Sequence, residues 1–181
     1  MRRALEINPL SYNFLADLGQ VYYFAHEYDK AKEYCHKALD LYPDFIFAHT
    51  YLFEVYLQTG EYEAAIEQSL KGDHAFYDVA NPPADPKKQF AEASNSYQRG
   101  GVRGYMTYRL RNLSKHVQNL NGPYWIAWNH AFLGNKEKAM DNLERAIELR
   151  SFWMAWVKAD PVFDNLRSEP RYQAILTKMN F

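Results

Sequence analysis

The chain of 181 residues is 48% hydrophobic and 17% aromatic, enough apolar surface for a folded domain or short repeat array and too much for a disordered chain. It has no run of about 18 apolar residues to span a bilayer, and Arg2, Arg3 and Glu6 break up any signal-peptide core at its start. The net charge of -1 hides a segregation: acidic side chains outnumber basic ones from Arg2 to Lys71, whereas Lys87, Lys88, Arg99, Arg103, Arg109, Arg111 and Lys115 face a single acid, Glu92, across the next stretch.

In chain order, "RRALEINP" reads as the end of a helix stopped at Pro9, so residues 1–9 are expected to be the tail of a truncated unit. Apolar residues then recur at three- and four-residue steps almost throughout, and no stretch alternates like a strand, which predicts an all-α fold. Leu18, Gly19, Tyr22, Ala31, Cys35, Ala38 and Pro43 mark a first helical pair over residues 10–43. Shifted by 34 residues, Leu52, Phe53, Tyr56, Ala65 and Ser69 fill the same slots in a second pair over 44–77. A proline-rich connection covers 78–86, with Pro82, Pro83 and Pro86 holding it extended. A degenerate third pair over 87–119 is anchored on Gly101. A fourth over 120–150 carries Gly134, Ala139, Leu143 and Ala146. Residues 151–181 are expected to form capping helices; Ser168 is placed as an N-cap, and Trp153, Trp156, Val162, Phe163, Leu166, Tyr172 and Ile175 as the cover of the last hairpin.

Small residues at fixed offsets have a physical reason. Gly19 and Ala31 fall where two helices cross, so that backbones approach closely. Gly60 and Gly134 allow a left-handed turn, and His26 holds the same slot. This pattern resembles the tetratricopeptide repeat, a helix–turn–helix unit. The resemblance implies a right-handed superhelix of about three and a half hairpins with C-terminal caps. The stretch "DPVFDNLRSEPRYQAIL" also resembles a tail that follows such arrays in large bacterial regulators, which implies a C-terminal piece of a larger bacterial protein.

In such arrays the first helix of each pair lines the concave side. That places Asn13, Ala16, Gln20, Tyr23 and Phe24 on the inner wall, then Phe47, Thr50, Tyr51, Glu54 and Gln58. Lys88, Ala91, Asn95 and Arg99 continue it, with Tyr124, Trp125, Trp128 and Phe132 at its end. The expected partner-binding set is Asn13, Gln20, Tyr23, Phe24, Phe47, Tyr51, Glu54, Tyr124, Trp125 and Trp128, an aromatic groove suited to a peptide or partner helix. Each aromatic has packing between repeats as its plainer explanation. Ala16, Gln20 and Tyr51 stand where carboxylate-clamp repeats want Lys and Asn, which argues against chaperone tails as ligands.

Arg99, Arg103, Arg109, Arg111 and Lys115, interleaved with Tyr105 and Tyr108, form an alternative site for an anionic ligand or nucleic acid. The slightly acidic total and the plain reading of a solvated face weigh against it, and "RGGVRG" lacks the ending of a phosphate loop. A third reading makes residues 2–9 an oligomerisation contact. Cys35 is the only cysteine and sits in a packing slot; the six histidines show no ligand spacing, and no acid–base pair assembles. The reading is therefore a non-enzymatic, cytoplasmic binding protein with no metal, cofactor or membrane partner.

Overall fold

The computed structural model describes residues 11–80, 85–116 and 122–181, and the backbone alone for 73–80, 86 and 114–116. The expected tail at 1–9, residues 81–84 of the proline-rich connection and the Lys115 side chain lie outside the described residues; residues 78–80, expected to be part of an extended connection, are helical instead. Among the described residues there is no strand. The helices are α1 (Tyr12–Phe24), α2 (Tyr28–Leu41), α3 (Ile46–Thr59), α4 (Tyr62–Ala80), α5 (Pro86–His116), α6 (Gly122–Phe132), α7 (Lys136–Glu148) and α8 (Pro170–Lys178). Two 3-10 segments, Phe152–Trp156 and Pro161–Leu166, lie between α7 and α8. The chain divides into two compact units, residues 1–91 and 92–181.

In the first unit α1 pairs with α2 and α3 with α4; α2 also packs on α3, and α1 touches α3. Ser11 starts α1 from extended backbone, its hydroxyl accepting from the Phe14 amide at 3.3 Å. Where α1 crosses α2, a Cβ on Gly19 would strike the Cys35 sulfur and stand 3.1 Å from the Ala31 carbonyl oxygen. Only glycine permits that approach. Ala31, Cys35 and Ala38 on α2 are fully buried against it. The hairpin turns are left-handed, His26 at φ 59° and Gly60 at φ 79°. The second hairpin crosses on Ala65, also fully buried, with the buried Phe53 in the slot that Gly19 fills in the first. His49 fixes this hairpin to the loop before it: Nδ1 lies 2.7 Å from Gln68 Oε1 and Nε2 2.8 Å from the Pro43 carbonyl oxygen.

In the second unit α5 is kinked at Gly101. Gly101 takes φ 58° and ψ -155°, and Gly104 is pressed onto the Ser96 carbonyl oxygen. The α6–α7 hairpin turns at Gly134, φ 79°, and buries Ala139, Leu143 and Ala146. The tail then folds back: the second 3-10 segment packs on α6, and α8 on α7. Of the residues expected to cover this hairpin, Val162, Phe163, Leu166, Tyr172 and Ile175 are buried, Trp153 is half-buried and Trp156 is exposed. The cap of α8 is Glu169, one residue later than the expected Ser168, and its side chain makes no capping bond. Pro170, which has no amide hydrogen to lose, takes the first helical position and so sets the boundary.

Candidate partner-binding surface

The inner-wall residues of the first unit divide by how many neighbours their helix has. α3 is flanked by α2 and α4 with α1 alongside, and residues 51–57 are all buried. Tyr51 and Glu54 were expected to face a ligand; they are buried instead, because α3 is covered nearly all round. Gln20 and Tyr23 require the same correction. Tyr23 has no exposed surface and sits in a cluster with Leu18, Tyr22, Ala31 and Val55, where burial of each large side chain stabilises the hairpin stack by about 1.5–3 kcal/mol. Asn13 and Phe47 remain exposed and Phe24 is half-buried.

Phe47, 49% exposed, belongs to a run of five aromatic rings. Tyr42 meets Tyr12 at 5.1 Å between centroids, Tyr12 meets Phe45 at 4.9 Å, Phe45 meets Phe47 at 5.6 Å, and Phe47 meets Tyr51 at 6.3 Å. Tyr42 is 46% exposed at the other end. Tyr12, Tyr42 and Phe45 escaped the repeat-based reading because it assigns ligand contacts only to fixed slots of the first helix. The available signal was two aromatics flanking Pro43-Asp44, a turn where polar side chains are the rule.

The wall next to this run is acidic. Asp17 is the only charged side chain of α1 and Glu54 the only carboxylate of α3, and neither helix carries a Lys or Arg. Asp17 is half-buried, and that burial lifts its carboxyl above the ordinary value. Burial raises the Tyr51 phenol, and the Glu54 and Asp17 charges push it further the same way. The lysines of α2 and α4 are engaged elsewhere: Lys30 with Glu27, Lys32 with Glu61 at 3.0 Å, Lys37 with Glu33 at 2.6 Å, Lys71 with Glu67 at 2.7 Å.

In the second unit the expected groove is filled by the chain's own tail. Tyr124 and Trp128 are each 1% exposed. The Tyr124 hydroxyl and the Trp128 indole N–H donate to Asp160 Oδ2 at 2.9 and 3.1 Å, and the Val162 amide donates to Asp160 Oδ1 at 3.1 Å. Trp153 stacks on Tyr124 at 6.1 Å and meets Trp125 edge-on at 4.9 Å; Phe163 closes the other side of Tyr124 at 5.8 Å. The expectation that Tyr124 and Trp128 face a ligand is corrected: buried Asp160 and the rings around it already complete them. Trp125 keeps part of its surface.

The basic segment is partly consumed by structure. Arg103 donates to the Leu133 carbonyl at 3.1 Å and closes the end of α6. Arg111 lies over the Tyr108 ring at 5.7 Å, Arg109 is half-buried, and Arg99 is exposed. Tyr105 and Tyr108, expected to accompany the cations, are buried. Arg99 and Arg103 flank an open depression of about 400 Å³ with Ser96, Gly100, Gly104 and Thr107.

Cys35 is fully buried and burial pushes its thiol far up, away from the thiolate. His130 is half-buried with its pKa lowered by burial and by Lys138. Among the described residues no group of three or more His, Cys, Asp or Glu side chains could hold a metal ion, and no helix is long and apolar enough to cross a membrane.

Stacked antiparallel helix pairs crossing on glycine and alanine and turning through left-handed residues define an all-α helical-repeat protein. Family profiles described as Tetratricopeptide repeat match residues 12–45, which hold α1 and α2, and residues 124–152, which hold most of α6 and all of α7. The chain contains tetratricopeptide repeats in these two stretches. No curated protein matches it. Such repeats generally mediate protein–protein interaction and generally serve as scaffolds without catalytic activity.

Proposed function

We propose that this chain is a protein–protein interaction scaffold that receives a peptide or partner helix on the α1/α3 face of its first unit. One observation carries the reading: the partly exposed aromatic run from Tyr42 to Phe47, which is well beyond scattered single apolar residues. Rigid aromatic rings bury large area at small entropic cost, which makes them effective anchors. The α6 face is set aside as a docking surface because the tail fills it. In this reading the hairpins α3–α4 and α5 are diverged repeats, and the chain serves as the interaction segment of a larger cytoplasmic regulatory protein.

A random peptide library displayed on phage tests the reading. Selected peptides are expected to bind the purified chain and to lose about tenfold or more in affinity to Phe47→Ala, with Phe152→Ala, exposed in the other unit, behaving as the parent. Peptides that ignore Phe47 and follow Trp125 or Phe152 would overturn it.

A second reading has its own observation, the depression between Arg99 and Arg103. There an anionic ligand would be held by two guanidinium groups. Heparin affinity that falls steeply with salt and drops in Arg99→Gln would favour it; elution at low salt would dismiss it.

A further inference from the structure

On the proposal that α1 and α3 form the docking face, we infer that its partner is a basic peptide, one that brings arginine or lysine to Asp17 while its apolar residues rest on Phe47 and Phe45. The choice of partner follows from charge. Asp17 is the one charged side chain of α1, neither α1 nor α3 carries a Lys or Arg, and Glu54, the one carboxylate of α3, is buried; Tyr12 of the aromatic run stands on the same helix as Asp17. The lysines of the same hairpins lie on α2 and α4, where carboxylates of those helices or of the turn before them already hold each one.

Asp17 is the residue best placed to meet the guest. It is half-buried in the middle of the exposed stripe of α1, between exposed Asn13 and Val21, with no ion pair or hydrogen bond of its own among the described residues. A half-dehydrated carboxylate without a cation is an electrostatic cost that a guest guanidinium removes, and the bond formed is a charge-assisted one. The neighbouring rings add to the preference. Tyrosine and phenylalanine faces attract arginine and lysine by their quadrupole, and they accept the aliphatic stems of both side chains. An acidic peptide meets the reverse situation, with like charges brought together in a partly dehydrated site.

The test uses the full chain and a fluorescein-labelled peptide of alternating arginine and leucine, with glutamine and glutamate analogues at the arginine positions. The arginine peptide is expected to bind at least about tenfold more tightly than the glutamine peptide, with the glutamate peptide weakest. Asp17→Asn, which keeps the side chain's size, should remove most of the preference for arginine over glutamine. Equal binding of the three peptides, or an arginine preference that survives Asp17→Asn, overturns the inference. Glutamine-analogue binding that still depends on Phe47 would leave the α1/α3 docking face standing and sink only the basic partner. Failure of every peptide together with library peptides that ignore Phe47 sinks both. Light scattering on the unliganded chain guards against a different occupant: a mass that doubles with concentration and returns to monomer in Asp17→Asn assigns the face to a second copy and overturns the peptide.

Discussion

Gly19 and Asp160 show how far single side chains govern each unit. A methyl group on Gly19 must displace the Cys35 sulfur and meets the rigid Ala31 carbonyl at 3.1 Å. Gly19→Ala is expected to lower stability by about 1–3 kcal/mol in urea denaturation, more than Gly60→Ala, where the added atom meets nothing within 4 Å and only the left-handed backbone, about 1–2 kcal/mol, is strained. Asp160→Ala leaves the Tyr124 hydroxyl, the Trp128 indole N–H and the Val162 amide without this acceptor in a buried site. The cost should be about 3 kcal/mol or more, measured the same way. These two residues were not equally legible. Gly19 stands at a fixed offset from Ala31, so a 34-residue period exposes its role. Asp160 acts on side chains 32 and 36 positions earlier from a segment without helical period, and no spacing rule reaches that far. For the same reason Tyr124 and Trp128 read as groove residues when they are core.

At the scale of elements, one arginine of α8 reaches three carboxylates of α7, and Lys136 at the start of α7 pairs with Glu169 at the cap of α8. Arg171 donates to Asp141 and Glu144 at 2.7 Å each and to Glu137 at 3.1 Å, while Tyr172 beside it donates to the Val157 carbonyl at 2.6 Å. The Arg171 bond, with its charge, holds the Glu144 carboxyl below its ordinary value. A carboxyl depressed in the folded state contributes stability at neutral pH, and that contribution is lost as pH falls through its folded pKa. Arg171→Gln should therefore lower the melting temperature at neutral pH, and the gap between variant and parent should close as the pH falls below the ordinary glutamate range and through the depressed Glu144 pKa. A gap that stays constant with pH would mean that packing of the arginine stem, and not its charge, fastens α8. The helices themselves were legible from periodicity, and the left-handed turns at His26, Gly60 and Gly134 fall where the repeat slots put them. Exposure was not legible. A repeat template assigns the same slots to every first helix, but among the described residues α1 packs against α2 and α3 while α3 packs against α1, α2 and α4, and Asn13 stays open while Tyr51 and Glu54 are covered.

At the scale of the whole molecule, the two units carry the same hairpin and use its first helix differently. In one, α1 and α3 leave aromatic rings and a half-buried carboxylate at the surface; in the other, α6 is closed by residues 152–166 of its own chain. In the first two hairpins the lysines sit on the second helices, paired with carboxylates, and the first helices carry only Asp17 and the buried Glu54. Hydrogen exchange of the full chain with and without a library-selected peptide at saturation tests this division most directly. Added protection is expected in residues 12–24 and 46–59 and at Tyr42–Phe45, with 122–132 and 152–166 unchanged. Protection that falls instead on α6 and the tail covering it would contradict the account.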